Sequence, residues 1–184
     1  LIGDPVEHSL SPLMQNAAFQ SLSLNCVYLT FRVEPKELRR AIAGIKSLGI
    51  SGFNVTIPHK ISIMKYLDEI DDLAKDSGAV NTVANKDGKL IGYNTDGLGA
   101  LIALKDEDVG LKGKKVVLLG AGGASRAMSF CMTPIAESLV VLNRTEDKAV
   151  ELASILQRRF NKKVLGGKLS CETLSRELPD ADIL

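Results

Sequence analysis

The sequence has no surplus of charge of either sign: its 184 residues carry 23 Lys and Arg against 22 Asp and Glu, a net charge of +1. Without a strong field of one sign, nothing in it favours nucleic acid, an anionic membrane surface or an acidic tail as partner, and a small molecule is the expected ligand. It lacks any apolar run approaching the roughly 20 residues that cross a bilayer. Its N-terminus lacks the basic-then-apolar order of a secretory signal. Cysteine is scarce: Cys26, Cys131 and Cys171 are odd in number and widely spaced, which fits neither a disulfide framework nor a paired zinc motif. They are expected to be small core residues in a reducing compartment, so the protein is expected in the cytoplasm, without a metal. No repeat or low-complexity tract interrupts the chain. What is present is ordinary for a globular protein, 45% hydrophobic and 24% charged residues, enough for one large or two small cores. Leu1-Ile2-Gly3 reads as the end of a strand with its turn and Ile183-Leu184 as the start of another, so a fragment is expected.

Apolar residues keep helical spacing over Leu10, Leu13, Met14, Ala17, Ala18 and Leu22, and again over Leu38, Ala41, Ile42, Ile45 and Leu48. Both segments predict amphipathic helices. The β-forming stretch Cys26 to Val33 lies between them, and a short strand over Gly52 to Val55 follows. Asp87-Gly88 predicts a tight turn between antiparallel strands at Ala79 to Asn85 and Lys89 to Tyr93, with a helix from Asp96 to Leu104 after it. The charged, glycine-containing segment Lys105 to Lys114 is where two cores are expected to part, giving domains 1–104 and 105–184. Beyond it the alternation restarts: strand Lys115 to Leu119, glycine turn, helix to about Met132, strand Ser138 to Leu142, helix Thr145 to Phe160. The expected fold class is α/β, with a mainly parallel N-terminal domain and a Rossmann-like C-terminal one that is incomplete at its end.

Gly120-Ala121-Gly122-Gly123-Ala124 directly follows the apolar strand and opens a helix, the context that a dinucleotide fingerprint requires. Gly120 allows the tight turn, Gly122 lets a pyrophosphate approach the backbone, and the amides of the helix N-terminus face its charge. The third glycine of the usual pattern falls on Ser125. An ordinary glycine-rich turn is the alternative. The next strand ends in Asn143-Arg144-Thr145, with no carboxylate for a ribose 2′-hydroxyl until Glu146. A guanidinium at Arg144 can pair with a 2′-phosphate, Thr145 can donate a hydroxyl while capping its helix, and Lys148 adds charge one turn on, which points to NADP. Alternatively, Asn143 and Thr145 are only helix caps and Arg144 a solvated charge.

In the N-terminal half, Ser9-Leu10-Ser11-Pro12 follows the first strand, with Ser11 resembling an N-cap before Pro12. Asn54-Val55-Thr56-Ile57-Pro58-His59-Lys60 follows the third strand and puts an amide, a hydroxyl and an ammonium at one sheet edge, residue types that suit a polyhydroxylated ligand. Lys60 can act as acid or base near a carboxylate, and Asn94-Thr95-Asp96-Gly97 supplies one at a helix start. Each feature also has a purely structural reading as a cap or surface charge. His8 and His59 flank this region without a third ligand, so they are read as structural.

These motifs, with Ala79-Val80-Asn81-Thr82, occur in the order seen in shikimate dehydrogenases, and the sequence resembles that family over nearly its whole length. The resemblance implies NADPH-dependent reduction of 3-dehydroshikimate to shikimate, a step of aromatic amino-acid biosynthesis. It implies that Ser9, Ser11, Asn54, Thr56 and Asn81 bind the substrate's hydroxyls and carboxylate, with Lys60 and Asp96 as catalytic pair and substrate contacts, Asp96 orienting Lys60. It also implies that Gly120, Ala121, Gly122, Gly123, Ala124, Asn143, Arg144, Thr145 and Lys148 bind NADP, with the protein a monomer or homodimer. The family's chains continue beyond Leu184 to a tyrosine and a glutamine near the ligand, so weak binding and poor turnover are expected of this piece. The alternatives are a quinate/shikimate dehydrogenase using NAD(P) and a non-catalytic ligand-binding relative. Ser-x-Ser leans toward shikimate in this family, and retention of both Lys60 and Asp96 argues against a pure binder.

Overall fold

A computed structural model describes residues 1–184, and these group into two compact units: Leu1–Lys75 with Val80–Asn94, and Asp76–Ala79 with Thr95–Leu184. The first unit contains β1 (Ile2–Gly3), α1 (Ser11–Ser21), β2 (Phe31–Arg32), α2 (Leu38–Ser47), β3 (Gly52–Asn54), α3 (His59–Ser62) and β4 (Glu69–Ile70). After α4 (Asp72–Ser77), which runs from one unit into the other, it continues with β5 (Thr82–Lys86) and β6 (Lys89–Tyr93). Parallel pairings join β1 to β2, Ile2 to Val55, and β4 to β6; the antiparallel ones all involve β5, which lies between β3 and β6. The hairpin turns at Asp87-Gly88, with φ of 52 and 84, the primed geometry whose twist matches its strands. On α2 the spacing of Leu38, Ile42 and Ile45 produces a buried face against Phe53, Val55, Val83 and Leu90. Removal of such side chains from water is the main stabilising term.

The helical periodicity of α1 is also realised, but not as a buried stripe. None of its residues is buried, and Leu13 and Met14 are exposed. The expected β-stretch Cys26 to Val33 shortens to β2, because only Phe31 and Arg32 reach ladder partners on β1.

The second unit contains α5 (Asp96–Asp106), β7 (Lys115–Leu119), α6 (Gly123–Met132), β8 (Ser138–Asn143), α7 (Glu146–Phe160), β9 (Lys163–Lys168) and α8 (Cys171–Glu177). The parallel sheet runs β7-β8-β9, and Ile183 bridges to Val116 on the other side of β7. Apolar-polar alternation is absent from β8: Leu139, Val140, Val141 and Leu142 are all buried, as expected of a strand covered on both faces. Val116, Val141, Leu152 and Leu156 belong to the core on one face, and Val117, Val140 and Leu142 to that on the other.

The sequence reading places residues up to Leu104 with the N-terminal half, whereas α5 groups with the C-terminal unit. At Gly97 its backbone lies so close to α6 that a Cβ would overlap the Ala127 carbonyl oxygen and the Cys131 sulfur. Asp76–Ala79 is fastened to the same unit by Arg126 Nε donating to Ser77 O at 2.9 Å and by the Arg159–Asp76 ion pair at 2.8 Å. At the far end of β7, Lys115 pairs with Glu177 at 3.1 Å and Asp180 at 3.0 Å, and Lys114 with Asp182 at 2.8 Å.

The cysteines are free, but Cys26 and Cys171 are exposed, contrary to the expectation of core positions, and only Cys131 is partly buried, its thiol pKa pushed up by burial. No helix is long and apolar enough to cross a membrane.

Candidate functional site

The loop after β1 and the end of β3 frame a cavity of about 290 Å³ in the first unit, lined by His8, Ser9, Ser11 and Thr56 beside Leu1, Pro5 and Val6. Thr56 is held there by its N–H donating to Ile2 O at 3.0 Å. Its side chain lies against Gly3, where a Cβ would overlap the Thr56 methyl group. Ser11 is not the N-cap of α1. Leu10 occupies that position, and Ser9 Oγ instead accepts from the Ser11 N–H at 3.2 Å. Lys60 stands on the first turn of α3, half-buried, with its carbonyl accepting from Val80 N–H at 2.7 Å. The neighbouring His59 is buried and its Nε2 lies 2.6 Å from Val33 O, so that nitrogen carries the proton and the ring is a structural donor.

Asn54 and Thr82 face each other across β3 and β5. Asn54 Nδ2 donates to Thr82 Oγ1 at 3.0 Å and to Asn81 O at 3.3 Å, and Thr82 Oγ1 donates to Asn81 Oδ1 at 2.8 Å. Asn54 Oδ1 accepts from the Tyr28 hydroxyl at 2.7 Å. Burial pushes the Tyr28 pKa up, partly offset by the nearby Ser11 hydroxyl. Tyr28 itself is bracketed by Asn16, whose Oδ1 accepts from its N–H at 2.8 Å and whose Nδ2 donates to its carbonyl at 3.0 Å. The sequence singles out Ser11, Asn54 and Asn81 but not Tyr28, since no local signal marks a tyrosine in an extended segment for this purpose. Thr82 stands in a quoted motif, but its bonding depends on strand register.

In the second unit the turn Gly120 to Ala124 joins β7 to α6 as predicted. Gly120 has φ +112, and a Cβ there would stand 3.1 Å from Ser125 Oγ. Gly122 differs: its φ is −84, and a Cβ on it would meet nothing within 4 Å. Neither backbone nor packing demands glycine at 122, and the first turn of α6 has no side-chain cap, so its amides can serve an anion approaching that open surface. Ala121 is buried, whereas Ala124 is exposed.

At the end of β8, Asn143 Nδ2 donates to Thr145 O at 2.8 Å. Thr145 occupies the N-cap of α7, yet its hydroxyl makes no capping bond, so the expected side-chain cap is not formed. Arg144 and Lys148 are exposed on the same end of the helix. Asp96 is the first residue of α5, directly after Thr95 at the N-cap. A carboxylate there is favoured by the helix dipole.

Residues 1–83 match the family model described as the shikimate dehydrogenase substrate binding domain. A shikimate dehydrogenase (NADP(+)) of Methanocaldococcus jannaschii is 52% identical over 184 residues, covering 100% of this chain and 64% of that protein. Among solved structures, a shikimate dehydrogenase in complex with NADP+ superposes with a TM-score of 0.89 at 49% identity, over 99% of this chain and 63% of that one. The shikimate 5-dehydrogenase from Listeria monocytogenes in complex with shikimate and NAD gives a TM-score of 0.86 at 37% identity, over 98% of this chain and 64% of that one. The chain spans 64% to 66% of the length of such curated relatives. Identity sustained along the whole chain, the family match over residues 1–83 and the common backbone agree, and the chain belongs to the shikimate dehydrogenase family.

Proposed function

We propose that this protein reversibly reduces 3-dehydroshikimate to shikimate with NADPH. The observation that carries the reading is the cavity that Ser9, Ser11 and Thr56 line, with the bonded amides of Asn54 and Asn81 in the same unit, in a chain about half identical to shikimate dehydrogenases. Ser9 and Ser11, as hydroxyl donors lining the cavity, suit a carboxylate, and Thr56, Asn54 and Asn81 suit ring hydroxyls. Lys60 donates a proton to the oxygen of the reacting carbonyl and stabilises its developing charge. Asp96 accepts a hydrogen bond from a substrate hydroxyl. Gly120, Ala121, Gly122, Gly123 and Ala124 hold a pyrophosphate, and Asn143, Arg144, Thr145 and Lys148 the adenosine end with its 2′-phosphate. When bound, NADPH supplies the hydride that reaches the carbonyl carbon. The near-neutral charge and the small cavity support small molecules as partners, and a cytoplasmic monomer or homodimer is part of the same proposal.

A second reading, oxidation of quinate as well as shikimate with NAD or NADP, is favoured by the Listeria relative's complex with NAD. The test is cofactor reduction with shikimate and quinate side by side, using NADP+ and NAD+. Shikimate with NADP+ is expected to be fastest. Lys60→Ala is expected to lower turnover about 10²- to 10⁴-fold at saturating shikimate. Near-normal turnover of that variant, or a preference for quinate, would sink the assignment.

A further inference from the structure

Tyr28 and Thr82 have no role in the reaction just described, yet both stand inside the set of side chains assigned to the substrate. The phenolic proton of Tyr28 is given to Asn54 Oδ1 at 2.7 Å. With Oδ1 toward Tyr28, the Asn54 amide must present Nδ2 to Thr82, both of whose roles are then set: its oxygen accepts from Asn54 and its proton goes to Asn81 Oδ1. The Asn81 amide is therefore turned with its oxygen toward Thr82 and its amino group the other way. Every bond from Tyr28 to Asn81 runs in one direction, set at Asn54 by the phenol on one side and by the Asn81 carbonyl, an acceptor 3.3 Å from Asn54 Nδ2, on the other.

We infer that Tyr28 and Thr82 are positioning residues that help set the polarity of the Tyr28–Asn54–Thr82–Asn81 chain, so that Asn81 turns its amino group and not its oxygen toward a substrate oxygen. A carboxamide is nearly symmetric in shape, and either end fits the space of the other. Its orientation is decided by hydrogen bonds alone. The bracket of Asn16 on both backbone groups of Tyr28 holds the phenol in place from α1. Removing the hydroxyl leaves Asn54 Oδ1 without its donor, so that the amide is held from the Nδ2 side alone, by its bonds to Thr82 Oγ1 and Asn81 O.

This inference rests on the proposed function, and shikimate binding to the chain separates the two. Calorimetric titration of the unaltered chain with shikimate should show binding; none would overturn the proposed function and this inference with it. Given binding, Tyr28→Phe should weaken it about three- to tenfold, the value of one neutral hydrogen bond. In an Asn81→Ala background the same change should cost less than it does alone, because the part of its effect that passes through Asn81 is gone. Thr82→Val should weaken binding similarly and Thr82→Ser restore it, a test that stands even if Tyr28→Phe lowers folding stability. Unchanged affinity in Tyr28→Phe or Thr82→Val, failure of Thr82→Ser to restore it, or an undiminished loss in the Asn81→Ala background would overturn the inference.

Discussion

Gly122 and Gly120 stand two residues apart and answer to different constraints. At Gly120 the φ of +112 excludes other residues and a Cβ would crowd Ser125, so Gly120→Ala is expected to destabilise the chain by about 1–3 kcal/mol. At Gly122 the backbone is ordinary and a Cβ meets no protein atom. Gly122→Ala should therefore leave the thermal midpoint nearly unchanged while weakening NADP+ binding by about tenfold or more, equivalent to about 1.4 kcal/mol. Thermal unfolding and a fluorescence titration of the two variants together check this. A Gly122→Ala protein that unfolds early, with its remaining folded fraction binding normally, would mean that the glycine serves the fold. Gly97 is a third case: a Cβ would overlap α6, so Gly97→Ala should separate α5 from α6 and cost about 1–3 kcal/mol.

Among the elements, the turn into α7 is where the proposed function puts the cofactor preference. Arg144 and Lys148 are both exposed there, Arg144 in the turn after the sheet's central strand and Lys148 in the first turn of α7. Charge-assisted hydrogen bonds contribute about 1.5–3 kcal/mol each. Arg144→Ala is accordingly expected to weaken NADP+ by about 10- to 100-fold and leave NAD+ within a few-fold, read as the ratio of the two dissociation constants. Equal losses for both would move the 2′-phosphate contact elsewhere. The elements themselves are legible where pattern and length agree. β7, α6, β8 and α7 fall within a residue or so of their predicted bounds, since an apolar strand, a glycine turn and an amphipathic helix each announce themselves locally. The short elements α3, β4 and α4, and β9 with α8, are not delimited by pattern, because pieces of a few residues, or strands interrupted by Gly166-Gly167, lack a full period to read. Of the candidate site, the serines, Asn54, Thr56, Lys60 and the glycine turn are visible as motifs, but which proton each hydroxyl gives, and to whom, is not.

Over the whole molecule, acid stability follows from the ion pairs that close each unit. Glu177 is held below the usual carboxylate range by Arg176 and then Lys115, Asp180 by Lys115, and Asp182 by Lys114; in the other unit Lys46 does the same for Asp68. A carboxylate with a lowered folded-state pKa contributes stability that is complete above its unfolded value, about 4, and lost as pH falls through the folded value. The unfolding midpoint should thus change little near neutrality and fall below about pH 4. Lys115 has only 18% of its side chain exposed, so Lys115→Met should cost about 1–3 kcal/mol at neutral pH and flatten the acid limb, checked by denaturant unfolding at a series of pH values. An acid limb of unchanged steepness in that variant would assign the effect to other carboxylates.

Helix and strand alternation, the glycine turn, the Asp87-Gly88 hairpin and the family motifs are properties of neighbouring residues, and the amino-acid order determines them by itself. Folding in three dimensions decided the rest: that the apolar stripe of α1 faces outward, that α5 belongs with α6, and that Tyr28 reaches Asn54 from 26 residues away. The physical reason is range. Periodicity and turn conformation act over a few residues, whereas burial, close helix packing and the direction of a hydrogen bond depend on partners that only the folded chain brings together.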